Sequence, residues 1–164
     1  MNSFENIEFF KPSEFDSPDL PGSGKNMQKS FLIKLDKARK ISRVPFFVTH
    51  GFRTRYYYSV LLQKGYEAVE DSAHEHGNGA DIKYTKSNFN VMLNGFIKAG
   101  FKRVGIGKDF FHVDNEDNQR PSPAVWTYKE TPICIKSISG SIRNYINEIS
   151  GVKKKLRHMV SWHY

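Results

Sequence analysis

The sequence predicts an α+β domain. Three observations carry that reading. Amphipathic helical periodicity appears early and again mid-chain, most strand-like segments come late, and no regular alternation of strand and helix runs through the chain. With 13 Phe, 8 Tyr and 2 Trp in 164 residues there is ample large side chain for one core, so long-range disorder is excluded. A single cysteine excludes an internal disulfide framework and a multi-cysteine zinc ribbon.

Residues 1–24 read as an irregular lead-in, because Asp16-Ser17-Pro18-Asp19 and Pro21-Gly22-Ser23-Gly24 are turn chemistry. Phe9, Phe10 and Phe15 are expected to pin it to the body, since three exposed phenylalanines are costly. Met27, Phe31, Leu32, Leu35, Ala38 and Ile41 recur at helical spacing and predict a helix over roughly 26–41. Pro45–Thr49 reads as a short buried strand stopped by Gly51, residues 55–64 as a short helix, and Ala80–Tyr84 as an alternating strand. Ser87 is the expected cap of a helix carrying Phe89, Met92, Leu93, Phe96 and Ile97, which Gly100 stops. Val104–Ile106, Phe111–Asp114 and Val125–Tyr128 read as three more strands. The domain is therefore expected to cover 1–128.

Residues 129–164 differ in character. Ile138, Ile142, Tyr145, Ile146 and Ile149 share one helical face, and Lys153-Lys154-Lys155 follows. This extension carries a net charge of +5 out of +8. Such a tail is attracted to nucleic acid, anionic lipid or anionic wall polymer, and is equally readable as a solvated helix end. The basic residues elsewhere are scattered and no nucleic-acid signature is present, so specific nucleic-acid binding is not expected. The apolar runs are too short to span a bilayer, and the acidic start does not read as a secretory signal.

Three segments carry chemistry. Ser72-Ala73-His74-Glu75-His76-Gly77-Asn78-Gly79-Ala80-Asp81 gathers two imidazoles, two carboxylates and two backbone-permissive glycines. Alone, such a run is more often a polar loop than a metal site. Asp109-Phe110-Phe111-His112-Val113-Asp114 sets a histidine in an apolar strand. There His112 and Asp114 share one face while Phe111 and Val113 point to the core. A ligand with its supporting carboxylate fits this pattern, and so does a core histidine satisfied by Asp114. His50-Gly51-Phe52-Arg53-Thr54-Arg55 places arginines after a buried strand, where they either meet an anion or sit on a surface loop.

Together these segments resemble the zinc D-Ala-D-Ala carboxypeptidases and L-alanyl-D-glutamate endopeptidases, a group that includes the vancomycin-resistance D,D-peptidases and several phage endolysins. The group's Ser-x-His-x-x-Gly-x-Ala-x-Asp run is matched by Ser72, His74, Gly77 and Asp81, its later His-x-Asp by His112 and Asp114, and its Gly-Tyr/Phe-Arg by Gly51-Phe52-Arg53. The opening around Ser13-Glu14-Phe15 and Ser17-Pro18-Asp19, and the closing Gly100–Ile106 and Trp126-Thr127-Tyr128, extend the likeness over about residues 8–128. There are two departures. Gly79 stands where the group usually has Ala, a change expected to loosen the loop, and His50 stands where it usually has Ser.

The resemblance implies a small mixed or antiparallel sheet with helices on one side, as in the hedgehog and D-Ala-D-Ala-peptidase zinc folds. It implies one Zn²⁺ held by His74, Asp81 and His112, with a fourth position open to water. It makes Asp109 the general base, with Glu75 as runner-up, and Arg53 the group that polarises the scissile carbonyl or binds substrate carboxylate. Asp114 would orient a ligand imidazole, Ser72 would hydrogen-bond substrate, and His76 would support the site, face substrate or be a plain loop histidine. The implied activity is hydrolysis of a peptidoglycan stem-peptide bond beside a D-amino acid, by a monomer made in the cytoplasm and acting on the bacterial wall in the manner of an endolysin. The basic tail would hold it to wall polymer or membrane. The competing expectation is a zinc-stabilised wall-binding module without catalysis, as the hedgehog signalling domain shares this architecture.

Overall fold

The helical periodicity around Phe31, Leu32, Leu35 and Ala38 becomes helix α1 (Lys29–Ser42), which buries those four side chains. The computed structural model describes residues 2–128 apart from 67, 69, 117 and 118, together with Thr131 and Gly140. The helix expected around residues 138–149 and its basic end lie outside the described residues. The remaining elements are strand β1 (Phe47–His50), helix α2 (Arg55–Gln63), strand β2 (Gly79–Lys83), helix α3 (Phe89–Ala99), and strands β3 (Arg103–Ile106), β4 (Phe110–Asp114) and β5 (Ala124–Thr127). Each falls within about three residues of its expected place.

Helix α3 ends at Gly100, whose φ of +100° a side chain would resist. Its start differs from expectation. Asn88 holds the cap position, and Ser87 instead turns its hydroxyl to the Thr85 hydroxyl at 2.9 Å. Helices α1 and α3 pack closely because Gly95 faces Ala38 and Ser42, where an added Cβ would come within 2.8 Å of the Ala38 carbonyl oxygen.

The sheet is mixed, in the order β1-β2-β4-β3-β5, with β3 and β5 parallel and every other neighbour antiparallel. Alternation gives it two unlike faces. Ala80, Ile82, Val104, Ile106, Phe111, Val113 and Val125 point into one core with the apolar sides of α1 and α3. No residue of α2 joins that core. The opposite face carries a row across all five strands, with His50 beside Asp81, Asp81 beside His112, His112 beside Gly105, and Gly105 beside Trp126. A bulge at Thr49 brings His50 into this row, since the pairing skips from Val48–Ile82 to His50–Asp81.

The lead-in is pinned as expected. Phe10 and Phe15 are buried and Phe4 joins them, with ring centroids 5.6 and 5.7 Å from Phe15. Phe9 is half-buried. Asp36 accepts the Phe9 N–H at 2.9 Å, while Arg39 donates to the Phe9 carbonyl at 2.9 Å and lies over the rings of Phe9 and Phe10. No helix among the described residues is long and apolar enough to cross a membrane.

Candidate metal centre

Asp81 and His112 meet because their strands pair in register, and both point away from the apolar core. His74 arrives from the loop before β2. That loop is drawn tight by Gly77, whose φ is +69° and where a Cβ would strike the Asn26 carbonyl at 2.3 Å. Two bonds from the Gly51-Phe52-Arg53 segment fix His74. The Gly51 carbonyl accepts from its Nδ1 at 2.7 Å, and the Arg53 N–H donates to its carbonyl at 3.1 Å. Gly51 itself lies flat on Phe15, so the buried lead-in supports the site.

All three side chains are buried. His74 Nε2 is 3.2 Å from His112 Nδ1 and 3.5 Å from Asp81 Oδ1, and His112 Nδ1 is 2.9 Å from Asp81 Oδ1. Donors at about 2.0–2.1 Å from a tetrahedral ion stand about 3.3 Å apart, and these three distances cluster around that edge.

The hydrogen bonds assign the tautomers. A carbonyl only accepts, so His74 carries its proton on Nδ1 and turns a lone pair on Nε2 toward the triad. His112 Nε2 faces Asp114 Oδ2 at 3.3 Å, a bond that holds a proton on Nε2. With that proton in place Nδ1 is the nitrogen able to turn a lone pair to an ion. Two imidazole nitrogens and a carboxylate then converge on one point, an arrangement that could hold a cation. Among the described residues this is the one group of three such ligands.

The charges of these groups are closely linked, and with no ion bound the Nδ1 proton of His112 is held by Asp81. Burial would raise Asp81, but His74 and His112 outweigh it and hold the carboxyl far below its usual range. Burial lowers His74, against the pull of Asp81. Burial would also lower His112, but hydrogen bonds to Asp114 and Asp81 raise it to about 9. Asp114 is drawn down to about 2, against burial, by its bond to His112 and by Arg103.

The structure brings most of the expected residues together. Arg53 lies near enough for its charge to act on His74 and Tyr128. Ser72 is buried and its hydroxyl has no hydrogen-bond partner. Asp114 contacts the His112 imidazole.

Asp109, Glu75 and His76 complete the expected set. Asp109 is exposed, in the bend between β3 and β4, and its carbonyl accepts the Tyr84 N–H at 2.8 Å. Glu75 accepts the Ser72 N–H at 3.3 Å and pairs with Arg55 at 3.1 Å. His76 follows in the same loop. It is clasped between Glu116 at 2.5 Å and Asp71 at 2.7 Å, tying its loop to the chain after β4.

Sequence reasoning missed Arg103, Gly105, Trp126 and Glu116, and noted His50 only as a departure. His50 Nδ1 stands 3.5 Å from Asp81 Oδ2 at the rim of the triad. Trp126 lies against Gly105, where a Cβ would meet the indole at 2.7 Å, and its ring centroid is 5.8 Å from that of His112. The signal for three of these was strand parity, because Arg103, Gly105 and Trp126 sit at positions facing away from the core. Comparison with protein-family models, curated proteins and solved structures returned no match.

Proposed function

We propose that the chain is a zinc-dependent peptidase of the D-Ala-D-Ala carboxypeptidase and L-alanyl-D-glutamate endopeptidase type, acting on peptidoglycan stem peptides. One observation carries the reading. Three buried donors from distant segments, His74 Nε2, Asp81 Oδ1 and His112 Nδ1, converge at tetrahedral spacing with both imidazole tautomers fixed by outer hydrogen bonds. A zinc ion bound there supplies Lewis acidity and lowers the pKa of a water ligand from 15.7 toward about 7.

The remaining work falls to the chain. Arg53, beside His74, is placed to bind a carboxylate or a carbonyl that gains negative charge. The Ser72 hydroxyl is buried and left over by the protein's own hydrogen bonding, so a contact to substrate would require it to be uncovered. Trp126 and Tyr128, whose centroids are 6.4 Å apart, form an aromatic wall beside His112. The basic extension keeps the enzyme near anionic wall polymer.

The test is mass spectrometry of muropeptides released from purified sacculi, with and without chelator, alongside metal analysis. One zinc per chain and chelator-sensitive release of stem peptides cut beside a D-amino acid are expected. Absence of zinc, or release that survives chelation, overturns the proposal.

The competing reading is a zinc-stabilised wall-binding module without hydrolysis. Asp109→Ala tests the first. With Asp109 as the general base, the variant should keep zinc and lose hydrolysis by about 10²–10⁴. Hydrolysis kept within about tenfold would remove Asp109 from that role.

A further inference from the structure

We propose that Arg103 is a positioning residue of the metal centre, acting through Asp114 to fix the imidazole of His112. The inference rests on the metal reading above and adds a residue that it does not require.

Arg103 and Asp114 are direct partners across β3 and β4, one row beyond the His112 row and on the same face. Arg103 Nε donates to Asp114 Oδ1 at 2.8 Å, and the Glu116 N–H donates to the same oxygen at 3.0 Å. Oδ1 is thereby occupied, and Oδ2 faces His112 Nε2. The carboxylate cannot rotate without breaking both bonds. Its orientation keeps the proton on His112 Nε2 and leaves Nδ1 for the triad.

Arg103 is itself immobilised. It is buried, a second guanidinium nitrogen donates to the Pro121 carbonyl, and the group lies 5.2 Å from the Trp126 ring centroid. A buried arginine is costly unless paired, and here its carboxylate partner is the one that holds a ligand.

The test is a double-mutant cycle of Arg103→Met and Asp114→Asn, read by Co²⁺ affinity against a chromophoric chelator and by the Co²⁺ visible spectrum. Circular dichroism of the metal-free chains reports folding. Each single variant should bind Co²⁺ about 10–100-fold more weakly, with an altered spectrum. The double variant should be no weaker than Asp114→Asn within about threefold, and Arg103→Lys should regain most of the affinity. Should Arg103→Met fail to fold, the comparison of the double variant with Asp114→Asn still decides, because the double removes both charges together. Unchanged affinity and spectrum in a folded Arg103→Met, or a double variant much weaker than Asp114→Asn, overturns the inference. A wild-type chain that binds no Co²⁺ overturns the metal reading and takes the inference with it.

Discussion

Gly79 is the residue at which the site's packing is most exacting. It opens β2 opposite Asp114, two positions before Asp81. A Cβ there would stand 2.8 Å from Ala73 Cβ and 3.4 Å from His112 Cε1. The sequence reading treated glycine at this position as a loosening of the loop. The geometry says the opposite: Ala73 fills the space that a side chain at 79 would take. Gly79→Ala should therefore destabilise the fold by about 1–3 kcal/mol, as overpacking in close-packed interiors does. It should also weaken metal binding by pressing on His112. Ala73→Gly in the same chain should restore most of both, less the entropy cost of a second flexible residue. Thermal unfolding and metal titration of the three variants check this, and a single variant as stable as wild type would show that the loop yields freely.

At the scale of elements, the crossing of α1 and α3 depends on Gly95. Alanine is the better helix former by about 1 kcal/mol, so an exposed glycine-to-alanine change in a helix normally stabilises. Here the new methyl would meet Ser42 Oγ at 1.9 Å and the Ala38 carbonyl at 2.8 Å. The serine can move, but the carbonyl belongs to helical backbone. Gly95→Ala should lower the midpoint of thermal unfolding by several degrees, corresponding to about 1–3 kcal/mol. Adding Ser42→Ala should recover only part, since the backbone contact remains. A rise in the midpoint would mean that the helices separate at little cost.

The elements themselves were legible because their signals are local. Phe31, Leu35 and Ala38 at helical spacing, Gly100 as a stop, and the alternation from Phe111 to Asp114 each state a structure within a few residues. The triad was legible through the resemblance, which joins the run holding His74 and Asp81 to the distant His112. The parallel pairing of β3 with β5 is set by contacts between distant segments, and so is the bulge that swings His50 toward Asp81. The role of Asp109 was legible only through the resemblance, since no local pattern marks a residue in the bend between β3 and β4 as a base.

The whole molecule divides its charge unevenly: residues 1–128, which carry the triad, hold +3 of the net +8 and residues 129–164 hold +5. Proteins of high local charge gather on oppositely charged polymers, and the attraction is screened by salt. If the tail acts on wall polymer through charge, then Lys153, Lys154, Lys155 and Arg157 changed together to Gln should weaken binding to purified walls several-fold at about 10 mM salt, where the screening length is about 30 Å. The difference should vanish near 1 M, where that length is about 3 Å. Cleavage of a small soluble stem peptide should be unaltered at either salt, because all three proposed ligands lie in residues 74–112. Cosedimentation with walls and peptide hydrolysis, measured on the same two proteins, separate retention from chemistry. Equal cosedimentation at low salt would leave the basic end as a solvated surface, and a parallel fall in peptide hydrolysis would mean that the tail touches the site itself.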